Sequence, residues 1–319
     1  MIMNIENINP ETILFCDFLV LWNNETKYKK SASTYDGYFG MITNHIYPYF
    51  KNKGLRLKEI KPMHLEFYQR YLLENTILSI NSIRKHHEVI RACLNFAFKN
   101  DFINKNPYNY FSLPRKTEYE MKYYTQQQLV KLMNVACGTP LESFIFLAVW
   151  FGLRKSEVLG LRWCNVDFNS RVLHICETRT RVKEYSTGHW IEVQNTRLKT
   201  SKSKRDLPLS DEQYKYLCSL YNSSCSEYVV SNAEGKPLHY DYILPTFKKL
   251  LISNNLPIIR VHDLRHSNAT LLLNNGFSMK EVQEWLGHST YKLTADTYTH
   301  VSAENKRNIS NSVGSILKP

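Results

Sequence analysis

The sequence contains no run of about 18 uninterrupted apolar residues, so no helix of this chain is expected to span a bilayer. Its first residues, Met1-Ile-Met-Asn-Ile-Glu6, lack a basic segment followed by an apolar one. No export signal is therefore expected, and the expected location is the cytoplasm. The seven cysteines are odd in number and no two stand at C-x-x-C spacing. That pattern argues against a disulfide framework and predicts reduced thiols, mostly packed as small apolar groups. The histidines and cysteines lack zinc spacing, and no Asp-Asp-Glu carboxylate arrangement is evident, so neither a metal nor another cofactor is expected. Internal repeats and low-complexity tracts are missing too. Acidic residues are comparatively few: 29 Asp and Glu face 41 Lys and Arg, a formal net charge of +12. Such an excess suits a polyanionic partner, of which nucleic acid is the commonest, although many basic enzymes carry a similar charge.

A length of 319 residues suggests two domains, each able to bury a core. The first 104 residues read as all helix. Residues 11–27 place Ile13, Leu14, Phe18, Leu21 and Trp22 at helical spacing. Ser33-Thr34 is a candidate cap for a second helix carrying Tyr35, Phe39, Ile42 and Ile46 and closed by Pro48. Pro62 opens a third, and Ser79 to Asn100 forms a fourth with Ile83, His87, Ile90, Leu94 and Phe98. Arg84, Lys85, Arg91 and Lys99 on this last helix are candidate contacts to a nucleic-acid backbone; the plainer reading is a solvated helix face. Residues 105–122, with Pro107, Pro114 and the pair Arg115-Lys116, read as an extended basic linker. Thr125-Gln-Gln-Gln128 is a capping box opening a second domain over 123–302. Within it 141–151 reads as a buried helix ending near Gly152. Residues 166–210 alternate and read as three short strands, with Lys199 near a turn between the last two. Helices return from Ser210, and Ser278-Met-Lys-Glu281 is another capping box.

Chemistry concentrates near the C-terminus. His262-Asp-Leu-Arg265-His266, Leu286-Gly-His288-Ser and Thr297-Tyr298-Thr-His300-Val lie close together in the chain. Upstream stand Arg154, in Phe151-Gly-Leu-Arg154-Lys-Ser-Glu157, and Lys199, in Lys199-Thr-Ser-Lys202-Ser-Lys204-Arg205-Asp-Leu-Pro208-Leu. Arginines suit the non-bridging oxygens of a phosphodiester, because the guanidinium fork reaches two oxygens and stays charged. Histidines move or donate protons, a lysine can protonate a leaving oxygen, and a phenol can attack. His262 and Arg265 share one helix face, with Asp263 a candidate N-cap. Each residue also has a plainer reading: Arg154 as a surface partner of Glu157, Lys199 as one solvated lysine among several, His288 as a cap on helical carbonyls.

These four segments, in this order, resemble the tyrosine recombinases, most of all the integrases of phages and conjugative transposons from low-GC Gram-positive bacteria. The catalytic likeness covers about 120–319; residues 11–115 resemble the family's helical core-DNA-binding domain, with less specific motifs. The resemblance implies an all-α SAM-like domain and a mixed α/β, mainly helical, catalytic domain, closing as a C-shaped clamp on double-stranded DNA. It implies that Tyr298 is the nucleophile forming a 3′-phosphotyrosine, that Arg154 and Arg265 grip the phosphate, and that Lys199 protonates the leaving 5′-oxygen. His262 would help deprotonate the tyrosine, His288 would hydrogen-bond a non-bridging oxygen, and Glu157 would support the site. Lys202, Lys204 and Arg205 are further candidate DNA contacts. The family implies four protomers on two duplexes, monomers off DNA, accessory DNA-bending or directionality proteins, and a trans-docking tail at 303–319. A type IB topoisomerase-like activity and an inactive DNA-binding relative are the alternatives. Helices beginning by about residue 11 leave no room for the extra arm-binding domain of many conjugative-transposon integrases; the expectation is a simpler recombinase or a truncated chain.

Overall fold

Ile13 and Leu14 do not begin the first helix, because their backbone pairs with another segment. Leu57 N–H donates to the Ile13 carbonyl (3.0 Å) and Phe15 N–H to that of Leu55 (2.9 Å), so α1 runs only over Phe15–Glu25. The computed structural model describes residues 8–117, 122–183, 189–195 and 204–287. They fall into two units, Met1–Tyr119 with Val182–His189, and Glu120–Arg181 with Trp190–Pro319. Lys199, Lys202, His288, Tyr298 and the tail 303–319 lie outside the described residues.

In the first unit α1 is followed by α2 (Ala32–Met41), α3 (Tyr47–Lys53), α4 (Pro62–Asn75) and α5 (Ile80–Lys99). Ser31, not Ser33-Thr34, caps α2, its hydroxyl accepting from Thr34 N–H. Pro48 does not close the second helix either. Ile42–Ile46 is a π turn in which Tyr47 N–H reaches the Ile42 carbonyl, and Pro48 sits in the first turn of α3. The widened turn gives the proline ring room, and its missing N–H falls where the ladder is already re-registered. Phe15, Phe18, Ile46, Phe50, Leu65, Tyr68, Ile83, Ile90 and Leu94 fill the core. The segment after α5 is extended but anchored along that helix. Asn81 donates to the Thr117 carbonyl (3.0 Å), Arg84 to that of Pro114, and Arg91 lies 5.6 Å from the Tyr108 ring centroid.

The second unit begins with α6 (Gln126–Ala136), capped by the Thr125 box, and α7 (Glu142–Phe151), which buries Phe144, Ile145, Leu147, Ala148, Val149 and Phe151. After α8 (Lys155–Gly160) come β1 (Val166–Asp167), β2 (Val172–Ile175), β3 (Thr178–Lys183), β4 (Trp190–Asn195) and β5 (Arg205–Pro208). The described residues thus hold five strands where three were expected. Asp167 folds the chain back within two residues by accepting from Asn169 and Ser170 N–H, and β3 and β4 pair as a separate two-stranded sheet. The order of the other sheet is β1-β2-β5, antiparallel, with Leu173 opposite Leu207 and Ile175 opposite Arg205. Then follow α9 (Asp211–Ser223), α10 (Ile243–Ser253), α11 (Val261–Asn274) and α12 (Met279–Leu286), the last opened by the Ser278 box. Leu132, Phe144, Leu147, Phe151, Leu159, Leu173, Phe247 and Leu264 form the core.

All seven cysteines are free, but only Cys16 and Cys93 are buried, while Cys137, Cys164 and Cys225 are exposed. Most therefore do not pack as small apolar groups. No described helix is long and apolar enough to cross a membrane.

The core of the first unit encloses His86 and His87, 2% and 0% exposed. His87 stacks on Phe111 (centroids 4.6 Å apart), and among the described residues neither of its ring nitrogens has a hydrogen-bond partner. Burial, reinforced by His45 for His86 and by His86 for His87, lowers both pKa values to about 4. An unfolded histidine titrates near 6.5, so between about pH 6.5 and pH 4 only the unfolded chain takes up these protons and stability falls as pH falls. By about pH 5 the loss should be on the order of 2 kcal/mol per histidine. Urea unfolding at neutral pH and at about pH 5 should show a smaller acid loss for His87→Phe than for the wild type; equal losses would mean that His87 is not the group responsible.

Candidate active site

Two helices of the second unit end on glycines in the left-handed region, Gly152 after α7 (φ 60°) and Gly287 after α12 (φ 65°). Each turn aims backbone carbonyls at one place, and the arginines come to them. Arg265, from the first turns of α11, is 2% exposed; its Nη1 donates to the Gly152 carbonyl (2.8 Å) and its Nη2 to that of Leu286 (2.5 Å). Arg154 is the N-cap of α8 and keeps about a third of its side chain exposed (32%). Its Nη2 reaches the Gly287 carbonyl at 3.3 Å.

Glu157 joins the two arginines. Its side chain is 1% exposed and closes a capping box, accepting Arg154 N–H at 3.0 Å. The same carboxylate meets Arg154 Nη1 at 2.6 Å and Arg265 Nη1 at 3.9 Å. Burial alone would raise its pKa; Arg205, then Arg154 and Arg265, outweigh burial and bring it down to about 2. The i, i+3 pairing that would make Arg154 an ordinary surface arginine is therefore present, but as part of a four-residue cluster.

Arg205 is where sequence reading and structure differ most. Read as a candidate DNA contact, its side chain is only 6% exposed and pairs with Glu157 at 3.0 Å. The strand explains why. Side chains alternate between faces, so Arg205 points the same way as buried Leu207, while Asp206 turns out to pair with His174 at 2.7 Å. The apolar Leu207 and Leu209 in the sequence carried that signal. Lys204 is exposed. Arg84, another expected DNA contact, is engaged with the Pro114 carbonyl; Lys85, Arg91, Lys99, Arg115 and Lys116 are exposed on the first unit.

Asp263 does not cap α11. Arg260 is the N-cap, and the fully buried Asp263 stands three residues in, accepting Arg260 N–H (2.8 Å) and its guanidinium (2.7 Å). His262 consequently lies in the first turn, one turn before Arg265, at an exposed position. Desolvation by the protein packed around the ring, then the charges of Arg265 and Arg154, lowers its pKa and keeps the ring neutral near pH 7. His266 sits edge-on to it, with ring centroids 5.0 Å apart, and burial followed by His262 lowers its pKa to about 4. Asn268, which sequence reading missed, ties α11 to the end of α7 by donating to the Val149 carbonyl at 2.8 Å. The described residues thus bring Arg154, Glu157, Arg205 and Arg265 together, with His262 on the same helix as Arg265.

The mixed α/β unit thus gathers Arg154, Arg205 and Arg265 from distant segments around the Glu157 carboxylate. Comparison with known proteins is specific: residues 122–305 match the phage integrase family and residues 14–118 its SAM-like domain. The chain belongs to the phage integrase family and is a tyrosine-type site-specific DNA recombinase. It is 26% identical over 330 residues to a "Tyrosine recombinase XerC-like" protein of Caldanaerobacter subterraneus subsp. tengcongensis, covering 95% of this chain and 83% of the relative. It is 22% identical to the ICEBs1 integrase of Bacillus subtilis, covering 87% and 76%. Among solved structures, a Tn1549 transposon integrase in complex with a circular intermediate DNA superposes with a TM-score of 0.77 at 19% identity, covering 94% of this chain and 99% of that one.

Gly152 tests how tightly the site depends on its turn. An added Cβ would come within 2.5 Å of Leu286 Cδ2 and 2.9 Å of Asn268 Oδ1, at a φ that side chains rarely adopt. Gly152→Ala should cost about 1–3 kcal/mol of stability and displace the carbonyl that holds Arg265. A variant with wild-type thermal unfolding and unchanged DNA cleavage would show that the turn is not under this constraint.

Proposed function

We propose that Arg154 and Arg265 form the phosphate clamp of a DNA strand-exchange reaction in which Tyr298 is the nucleophile. The carrying observation is the cluster itself: two arginines bridged by buried Glu157 and lodged against the Gly152, Leu286 and Gly287 carbonyls, one residue before His288. The Tyr298 oxygen attacks phosphorus, the bond to the 5′-oxygen breaks, and a 3′-phosphotyrosine and a free 5′-hydroxyl result. His262, neutral at working pH, accepts the phenol proton, while Lys199 supplies a proton to the leaving oxygen. His288 and the arginines stabilise charge on the non-bridging oxygens. The 5′-hydroxyl of a second duplex then displaces the tyrosine, so one phosphodiester replaces another and no ATP is consumed.

The reading includes double-stranded DNA as substrate and four protomers on two duplexes. It is supported by similarity to a lambda integrase tetramer bound to a Holliday junction (TM-score 0.67, 16% identity). Exposed Lys85, Arg91, Lys99, Arg115, Lys116 and Lys204 would meet backbone phosphates, with Lys202 beside them in sequence. Protomers would be monomeric off DNA, use the 303–319 tail in trans, act in the cytoplasm and work with accessory DNA-bending or directionality proteins. The domain limits 1–104, 105–122 and 123–302 belong to the same proposal.

Tyr298→Phe removes only the attacking oxygen. On a nicked suicide substrate the variant should bind DNA normally and form no denaturation-stable protein–DNA adduct; an adduct would assign the nucleophile elsewhere. Lys199 is tested through the leaving group. Lys199→Ala should slow cleavage of ordinary DNA by about 10²- to 10⁴-fold, yet cleave a substrate with a bridging 5′-sulfur nearly as fast as the wild type, since a thiolate leaves without a proton. Equal losses on both substrates would exclude general-acid catalysis by Lys199.

A further inference from the structure

Three guanidinium groups face the Glu157 carboxylate, from three different elements. Arg154 on the turn before α8 keeps part of its surface in solvent, and Arg265 on α11 is lodged against the Gly152 and Leu286 carbonyls. Arg205 on β5 approaches from the core side and spans both carboxylate oxygens, Nη1 to Oε1 at 3.4 Å and Nη2 to Oε2 at 3.0 Å. A two-point arrangement of this kind is the strongest way for an arginine to hold a carboxylate. Without it, buried Glu157 would be left to the two arginines assigned to the phosphate, and each bond it drew from them would compete with that phosphate.

We propose that Arg205 is a positioning residue for strand cleavage: by occupying both oxygens of Glu157 from the core side, it lets Arg154 present its guanidinium outward to the DNA phosphate. The proposal rests on the phosphate-clamp reading above. Arg205 also anchors the start of β5, six residues after Lys199 in the chain, to the helix that carries Glu157. Its side chain is buried, so it touches no DNA itself.

The groups facing Glu157 are Arg154 from its own helix, Arg205 from β5 and Arg265 from α11, and His262 on α11 is coupled to Arg265 and Arg154. In the wild type these charges hold the carboxylate ionised well below neutral pH. Removing Arg205 takes away its principal partner while burial remains, so Glu157 should begin to take up a proton on mild acidification.

The test measures covalent-adduct formation by full-length protein on a nicked duplex, with DNA affinity and thermal unfolding, for Arg205→Gln, Arg205→Lys, Glu157→Gln and the double variant Arg205→Gln/Glu157→Gln. Arg205→Gln should bind DNA with wild-type affinity and salt dependence but cleave about 10- to 100-fold more slowly, as expected of a displaced catalytic group. Its rate should fall further below about pH 6–7 through an added acid limb, at higher pH than the His262-dependent loss that it shares with the wild type and both Glu157→Gln variants. Arg205→Lys, which keeps the charge but loses the fork, should fall between the two and gives the same readout should Arg205→Gln fail to fold. Wild-type rates and pH profile in Arg205→Gln and Arg205→Lys would overturn the proposal. So would a weaker affinity with a shallower salt slope, which would make Arg205 a DNA contact, or a slower variant lacking the added acid limb, which would make its role merely structural. Arg154→Ala is measured alongside: if it cleaves at the wild-type rate, the clamp reading itself fails, whatever Arg205 does.

Discussion

One carboxylate organises the catalytic unit. Two arginines proposed to grip one phosphate repel each other, and without DNA nothing external would hold them together. Glu157 supplies the missing charge from inside the protein, where it meets Arg154, Arg205 and Arg265. A buried carboxylate carries a large desolvation cost, which only close, hydrogen-bonded partners offset. The cluster is therefore mutually dependent. Removing one member of such a buried set typically costs about 3–5 kcal/mol, because an uncompensated charge is left behind.

That dependence explains why the site is assembled from segments so far apart in sequence. The Gly152 turn, the start of α8, β5, α11 and the end of α12 each contribute one or two groups. Helix ends are suited to the task, since their last carbonyls have no partner within the helix and carry partial negative charge. Arg265 satisfies carbonyls from two such ends at once. Asn268, a turn further along α11, secures the same junction by donating to the Val149 carbonyl. The packing of α11 against α7 and the electrostatics of the arginine cluster are thus one construction.

Much of this was legible in the sequence, for reasons that can be stated. Helices with a clear apolar face, such as α5 with buried Ile83, Ile90 and Leu94, follow from spacing alone, and the Thr125 and Ser278 boxes marked helix starts. Catalytic candidates stood out because arginine, histidine and tyrosine fell in a family order. Features that depend on partners remote in sequence were not legible. The delayed start of α1 needs Leu55 and Leu57, the tolerated Pro48 needs a π turn, and the extra strands need the reversal at Asp167. Asp263 looked like a cap because aspartate commonly is one, yet Arg260 stands at the boundary and Asp263 reaches back to it. Arg205 is different: alternation with Leu207 and Leu209 already placed it on the core face, but a basic run invites a reading as surface.

On the proposed clamp reading, the charge balance also bears on how phosphoryl transfer would proceed at this centre. With Arg205 taken as the counter-ion of Glu157, those two charges cancel, and Arg154 and Arg265 remain as the net positive pair. An attacked phosphodiester gains one negative charge as its phosphorus becomes five-coordinate, so two fixed guanidiniums match the doubly charged transition state better than the singly charged ground state. Preorganised charge of this kind lowers a barrier because it need not rearrange when the reaction occurs. Burying Glu157 and Arg205 behind the pair would serve that end: the low-polarity surroundings that make the cluster costly to assemble would also keep its outward field from being screened by water.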